Sequence, residues 1–266
     1  MKNLSRFALP IALAGLMGCH GHRATDGPAP KRLAPMAPDS LWNLAERAFN
    51  HGKWGAAQKQ FDLLGPLLTT TDPRYLRMHF FLGEILFAQG NQLQAVREFR
   101  RVADERPEDP LAPEALLRAG DAYADLWRRA ELDPTYGETA RTVYQEVATR
   151  YPNTPAAARA GLRVTELAEK FAAKEYKSAL FYFKFKADDS AILMFRGLIA
   201  NYPRSKVVPG ALEHLVRSYQ RLGYAEDVKE TCAYIAQYHP DPAGPLRLCP
   251  PTPAATPGGS GVPEQH

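Results

Sequence analysis

Residue types that can carry out chemistry are scattered along this chain. Its 266 residues include seven histidines and three cysteines, and none of them stands in a CxxC pair or a Cys/His cluster that could hold structural zinc. The sequence also lacks an HExxH motif, a Gly-rich phosphate loop and a GxSxG nucleophile turn. Asp188-Asp189 is a lone acidic pair, which we interpret as part of a solvated turn or a helix cap. We therefore predict that the protein is not an enzyme and that it binds no metal or cofactor.

One cysteine does stand in a reactive context. Residues 1–19 begin with two positive charges and continue with an apolar run that is too short to span a bilayer. They end in Leu16-Met17-Gly18-Cys19, the order of a bacterial lipobox, in which the thiol of the cysteine is acylated. We predict that residues 1–18 are a signal peptide and that Cys19 carries a covalent lipid. His20, rather than Asp, follows Cys19, which favours the periplasmic face of the outer membrane. The alternative is an ordinary signal peptide with an incidental cysteine.

Both ends of the mature chain have the composition of flexible segments. Residues 19–38 are rich in Pro and Ala and are predicted to be a tether, and residues 242–266 are rich in Pro and Gly and are predicted to be disordered. In an oxidising compartment Cys232 and Cys249 are a candidate disulfide pair. The alternative is a buried thiol at Cys232 and a free thiol at Cys249.

A four-position pattern recurs through the body of the chain. A small residue, an aromatic and an aliphatic residue at offsets 0, 4 and 7 lie on one face of a helix, and a proline at offset 12 ends that helix. The five sets are Ala57/Phe61/Leu64/Thr69, Ala95/Phe99/Val102/Pro107, Ala140/Tyr144/Val147/Pro152, Ala191/Phe195/Leu198/Pro203 and Val228/Cys232/Ile235/Pro240. The first set lacks the final proline, and the last has Val and Cys in place of the small and aromatic residues. The pattern describes the second helix of a repeated helix–turn–helix unit.

The first set belongs to a fuller consensus. Gly52, Trp54, Ala57, Phe61 and Leu64 match the tetratricopeptide (TPR) repeat position by position. We predict an all-α fold, a superhelical array of five TPR repeats, in a domain of residues 39–241. The repeats are expected at about residues 39–71, 76–109, 113–154, 156–205 and 209–241.

The fourth repeat has an unusual first helix. Residues Ala156–Lys186 contain no proline and a single glycine, Gly161, so we predict one long helix that is straight or kinked near Gly161. Basic residues along it, among them Lys170, Lys174 and Lys177, alternate with acidic ones. We interpret that face as solvated or in contact with protein.

The first helices of a TPR array line its concave groove, and two of them carry the same aromatic–acid–aromatic triplet. The positions expected to point into the groove are Trp42, Glu46 and Phe49 in repeat one and Phe80, Glu84 and Phe87 in repeat two. Aromatic side chains bury a large area at low entropic cost, so such a stripe suits an extended peptide with aromatic side chains. The alternative is that these rings pack in the core.

These features together resemble the BamD family, the TPR lipoproteins of the outer-membrane β-barrel assembly (BAM) machinery. The resemblance covers roughly residues 40–240. Beyond the lipobox and the tether, it depends on an inserted turn and on short segments in repeats three and four. These are Asp133-Pro134, Tyr151-Pro152-Asn153-Thr154, Leu167-Ala168, Lys174-Glu175-Tyr176 and Asn201-Tyr202-Pro203.

The resemblance implies a non-enzymatic periplasmic scaffold. Its C-terminal repeats would dock on the POTRA domains of a BamA-like barrel protein and associate with other BAM lipoproteins, and its N-terminal groove would receive the C-terminal signals of unfolded outer-membrane proteins. The family commonly has an Arg beside the fourth-repeat aromatic, on a segment linked to POTRA contact. Here that neighbour is Met194, and Arg196 stands on the other side of Phe195. Met194 and Arg196 are therefore the candidate residues of this interface.

Another periplasmic TPR lipoprotein is the alternative function. A coordinator of cell division associated with Tol–Pal would be favoured by an N-terminal coiled coil, and none is visible, while a secretion pilotin remains the other candidate of this kind. The net charge of +4 does not indicate nucleic acid as a partner.

Overall fold

The computed structural model describes residues 36–250, which form an array of α-helices. In chain order the helices are α1 (Pro38–Asn50), α2 (Trp54–Leu64), α3 (Arg74–Ala88), α4 (Gln92–Glu105), α5 (Ala112–Leu126), α6 (Thr135–Arg150), α7 (Pro155–Lys184), α8 (Asp188–Asn201), α9 (Val208–Leu222) and α10 (Ala225–Tyr238). Short 3-10 helices lie at Gly65–Leu67 and Pro245–Leu248. The second falls within residues 242–266, so the prediction of disorder is wrong for Pro245–Leu248. Residues 36–250 contain no strand, so the prediction of an all-α fold is confirmed. Cys19, the signal segment and the tail beyond residue 250 lie outside the described residues.

Each helix packs on the next one along the chain. In addition, α5 touches α7, and α7 touches α9, so alternate helices form a second row of neighbours. This is the arrangement of stacked helix hairpins in a TPR-type array, in which each unit contacts only those beside it. The repeat boundaries given above remain an interpretation of this sequence of helices.

Small residues on the first helix of a hairpin let an aromatic ring of the second helix lie against its backbone. A Cβ atom added at Gly83 would stand 2.6 Å from the ring of Phe99, and one added at Gly120 would stand 2.5 Å from the ring of Tyr144. Phe99 and Tyr144 are fully buried. The aromatic position of the recurring pattern thus makes the same close contact, with a glycine of the preceding helix, in two successive hairpins.

Three clusters of buried apolar residues follow one another along the array. An N-terminal cluster joins α1, α2 and α3 and contains Phe61 and Ile85. A central cluster extends from α3 to α7 and contains Phe99 and Tyr144, and a C-terminal cluster joins α7, α8, α9 and α10 around Phe195. Each fully buried side chain of this size contributes roughly 1.5–3 kcal/mol to folding.

The long helix α7 takes part in two of these clusters. Its thirty residues begin after Thr154, whose hydroxyl accepts a hydrogen bond from the amide of Ala157 at 3.2 Å, with a proline in the first turn. Leu167 belongs to the central cluster and Ala179 to the C-terminal cluster. The structure has a single helix where the sequence predicted Ala156–Lys186, and it continues through Gly161.

The inserted turn between α5 and α6 is fastened to α7. Trp127 is fully buried, and its ring centroid lies 4.6 Å from that of Phe171 on α7. Lys170 donates to the carbonyl of Trp127, Lys174 Nζ donates to the carbonyl of Leu132 at 3.0 Å, and Lys177 pairs with Glu131. The lysines of α7 therefore contact the protein's own inserted turn.

Glycine-to-alanine substitutions at two helical positions should have opposite effects on stability. At Gly120 the new methyl group would overlap the ring of Tyr144, and overpacking of this kind costs about 1–3 kcal/mol, which exceeds the gain in helix propensity. We expect Gly120→Ala to lower the free energy of unfolding by about 1–2 kcal/mol in urea denaturation.

Gly161→Ala is the matched control, because a Cβ atom there meets nothing within 4 Å. It should raise the free energy of unfolding by roughly 0.5–1 kcal/mol through helix propensity alone. Equal effects of the two substitutions would contradict the close contact between Gly120 and Tyr144.

Candidate functional site

The first predicted groove residue, Trp42, lies in the core. Only 8% of its surface is exposed, and its ring packs against Phe61 and Phe81, with ring centroids at 5.8 and 6.0 Å. Phe81, on α3, covers the side of α1 that was expected to face a peptide. The prediction that Trp42 points into an open groove is therefore wrong at this position, because the neighbouring hairpin buries it.

The remaining members of the first triplet are partly covered. The ring of Phe49 lies between those of Trp54 and Phe81, with centroids at 5.4 and 4.6 Å. Glu46 Oε1 accepts a hydrogen bond from Arg77 at 3.0 Å. The guanidinium of Arg77 also lies over the ring of Phe81, at 5.3 Å from the centroid. This end of the array presents a cation above aromatic rings.

In the second triplet, Glu84 and Phe87 hold an arginine of the next hairpin. Arg118 donates to both carboxylate oxygens of Glu84, at 2.5 and 2.9 Å, and to Asp121 at 2.9 Å. Its guanidinium lies over the ring of Phe87, 4.5 Å from the centroid. Burial opposes the charge of Arg118, but the hydrogen bonds to Glu84 and Asp121 raise its pKa above the usual value.

The charge network continues from α5 to α6 and α7. The hydroxyl of Tyr144 donates to Asp121 Oδ1 at 2.8 Å, and Arg163 Nε lies 3.3 Å from the same oxygen. Burial and the negative charge of Asp121 raise the pKa of Tyr144 well above its ordinary value, so this hydroxyl remains a donor at all physiological pH values. These side chains of α3, α5, α6 and α7 thus form one connected polar network.

Phe80 occupies a different position, at the edge of an apolar groove between α3 and the start of α5. We call this the N-terminal groove; it has a volume of about 430 Å³. Its lining includes Leu76, Arg77, Phe80, Phe81, Pro110 and Leu111. Phe80 is half-buried, with its ring 5.6 Å from that of Phe99. The groove therefore combines apolar walls with the half-exposed cation of Arg77.

Met194 and Arg196, the residues predicted for the partner interface, both lie on α8 and differ in exposure. Met194 is half-buried and packs against the C-terminal cluster, whereas Arg196 is exposed. Leu193, beside Met194, is 73% exposed. Arg196 lines two neighbouring depressions, one along α8 with Leu193 and a second between α8, α9 and α10. The surface at this end is thus carried by Leu193 and Arg196.

The depression between α8, α9 and α10, which we call the α8–α10 groove, has a volume of about 400 Å³. Its walls include Arg196, Ile199, Leu212, Leu215, Tyr219 and Tyr234, and two acidic residues, Asp227 and Glu230, also line it. Burial raises the pKa of Tyr219, and the nearby positive charge of Arg196 opposes part of that rise. An apolar floor with a few charged groups around it is the composition of a protein-binding groove.

Among residues 36–250, no group of three or more His, Cys, Asp or Glu side chains is arranged to hold a metal ion. In the same part of the chain, no helix combines the length and apolarity needed to cross a bilayer.

Two features of the site lay beyond the sequence patterns. No sequence pattern points to Arg118, although its side chain contacts Glu84, Phe87 and Asp121. The sequence predicts that the three lysines of α7 are solvated or contact protein. In the structure they contact two backbone carbonyls and one carboxylate of the same chain, 42 to 46 positions away. In the sequence, the mixture of Lys and Glu on a long helix is the signal that favours such contacts.

Comparison with known proteins gives consistent results. Residues 35–234 match the sequence profile of the family described as YfiO, outer membrane lipoprotein. The outer membrane protein assembly factor BamD of Vibrio cholerae is 29% identical over 240 residues, which cover 83% of this chain and 92% of that protein. BamD of Caulobacter vibrioides is 28% identical over 152 residues, or 57% of this chain, and the match spans about half, 50%, of that relative's length.

Among solved structures, PcrH of Pseudomonas aeruginosa is similar with a TM-score of 0.39 and 22% identity, over 51% of this chain and 94% of that one. A likeness of this size carries no argument about function.

Proposed function

This chain belongs to the YfiO family of outer membrane lipoproteins, and on that premise we propose that it is a non-enzymatic assembly factor for outer-membrane β-barrel proteins. The match to the family over residues 35–234 is the observation that carries the proposal. The relatives named as assembly factors support it, and they favour it over a coordinator of cell division or a secretion pilotin. An array of helix hairpins with open grooves at both ends suits a scaffold that holds several proteins together.

The proposed location is the periplasmic face of the outer membrane. The lipobox ending in Cys19 and the family description support it. Acylation of Cys19 with two or three chains would anchor the protein stably, where a single chain would not.

Substituting Cys19→Ala removes the thiol that would be acylated. We expect the variant to leave the outer-membrane fraction and to appear in the soluble or unprocessed fraction, as measured by cell fractionation and immunoblotting. His20→Ala keeps the thiol and serves as the control that should remain membrane-bound. A Cys19→Ala protein that still sediments with the outer membrane after an alkaline wash would contradict lipid anchoring at this residue.

The α8 end of the array is the proposed docking surface for the POTRA domains of a BamA-like barrel protein, with other lipoproteins of the machinery bound alongside. Supporting this assignment, Leu193 and Arg196 are exposed side by side on α8, and Arg196 lines the α8–α10 groove. Because Met194 is half-buried, its part is to shape the surface from beneath. An exposed leucine next to a cation offers both apolar area and a charge that selects the partner.

Leu193→Asp should abolish docking without unfolding the protein, because the leucine is 73% exposed. We expect at least a tenfold loss of the POTRA-containing protein that co-purifies from detergent-solubilised membranes, which corresponds to about 1.4 kcal/mol. Arg196→Glu should have a similar effect through the reversed charge. Leu162→Asp, on an equally exposed leucine of α7 (66%), is the matched control and should not affect recovery.

If Leu193→Asp and Arg196→Glu both retain full co-purification, docking does not use this surface. Absence of any POTRA-containing protein from the wild-type preparation would contradict the assembly function itself.

The N-terminal groove is the proposed site for the C-terminal signal of an unfolded outer-membrane protein. Such a signal typically ends in an aromatic residue with a free carboxylate. The apolar walls at Phe80 and Leu76 suit the ring, and the guanidinium of Arg77, more than half exposed, suits the carboxylate. The site is therefore narrower than the two-triplet stripe expected from the sequence, since Trp42 is buried and Glu84 holds Arg118.

Arg77→Gln should weaken binding of a synthetic peptide that ends in an aromatic residue by about threefold to tenfold, since an exposed charged hydrogen bond contributes about 0.5–1.5 kcal/mol. Fluorescence anisotropy measures the affinity, and Arg97→Gln, an exposed arginine of α4, is the control. Amidating the peptide terminus should remove the difference between wild type and Arg77→Gln. Equal affinity of the two proteins for the free-carboxylate peptide would contradict the role of Arg77.

A further inference from the structure

The residues that follow α10 fold back onto the end of the array. We call residues 241–249 the strap. It contains a turn in which the amide of Ala243 donates to Asp241 Oδ1 at 2.9 Å, followed by the 3-10 helix Pro245–Leu248. Pro245 is buried, and Leu246 and Leu248 are packed against the C-terminal cluster.

Polar contacts and a covalent bond hold the strap on both helices of the last hairpin. Gln220 Nε2 on α9 donates to the carbonyl of Leu248 at 3.2 Å, and Arg247 Nη2 donates to Glu213 Oε2 on α9 at 2.9 Å. Cys249 is joined by a disulfide to Cys232 on α10. The strap contacts both α9 and α10, so it bridges the two helices.

The last helix is the one that most needs such support. Its buried residues are Val228 and Ile235, whereas α9 buries seven residues and α8 buries five. In a linear array the terminal helix has a neighbour on one side only, and an element with little buried apolar surface opens locally at low free energy. By its own packing, α10 would therefore fray.

We propose that the strap is an intramolecular cap, latched by the Cys232–Cys249 disulfide, that occupies the face of α9 and α10 on which a further helix would otherwise stack. The cap keeps α10 in place as one wall of the α8–α10 groove, to which it contributes Thr231 and Tyr234. The strap lies beyond residue 234, where the match to the family profile ends. The cap stands whatever partner the groove binds.

Hydrogen exchange of the full-length oxidised protein tests the cap directly. Cys249→Ser should increase exchange throughout α10 and along the face of α9 that carries Glu213 and Gln220, while exchange in α4 and α5 stays unchanged. Cys232→Ser should produce the same increase, and the double variant no further increase, because both substitutions remove one shared bond. Ala233→Ser adds a hydroxyl at the exposed neighbour of Cys232 and should leave exchange unchanged.

Two further variants separate the strap from the bond. Ending the chain after Pro240 should raise α10 exchange at least as much as Cys249→Ser, and Arg247→Ala should raise it less, since the disulfide remains. Unchanged α4 and α5 exchange and unchanged helical circular dichroism show that each variant is folded.

The proposal is overturned if Cys249→Ser and the shortened chain exchange at α10 like the wild type. It is also overturned if Cys232→Ser alone increases exchange, because packing of the Cys232 side chain would then be responsible rather than the latch.

Discussion

The structure depends on one helix that is shared between two cores. The middle of α7 packs Leu167 and Phe171 into the central cluster, and its C-terminal part packs Ala179 into the C-terminal cluster. A helix of this length extends roughly 45 Å, and its backbone hydrogen bonds make it a stiff rod. The two clusters therefore cannot reorient independently without unpacking α7. The inserted turn reinforces this coupling, because Trp127 and the lysines of α7 tie it to the middle of the rod.

Between the two ends of the array, polar side chains of α3, α5, α6 and α7 pair with one another. Arg118 pairs with Glu84 and Asp121, and the hydroxyl of Tyr144 donates a hydrogen bond to the same Asp121. Groups that are fully paired gain little by exchanging their partners for those of a ligand. The N-terminal groove and the α8–α10 groove, by contrast, have mainly apolar walls. A scaffold built in this way would hold the two proposed binding surfaces at a constant separation.

The ends of the array face a different physical problem from its middle. Each internal helix packs against the helix before it and the helix after it, whereas α10 packs mainly against α9 and the strap. The sequence offered two open alternatives for Cys232 and Cys249, a disulfide or two thiols. In the structure they are bonded, and the bond closes a short segment whose leucines complete the C-terminal cluster. The helix that the strap covers is also a wall of the α8–α10 groove.

Local patterns determined the elements of this fold. Helical periodicity, prolines at helix ends and the small-then-aromatic spacing act within one or two turns, so they predicted an all-α array and a long helix at Ala156–Lys186, close to the observed Pro155–Lys184. Exposure is decided by residues that are distant in sequence. Phe81 of the next hairpin buries Trp42, and Arg118, 34 positions away, takes up Glu84. Which aromatic ring stays accessible, and which charge stays free, therefore depends on how neighbouring hairpins stack, and only the tertiary structure decided it.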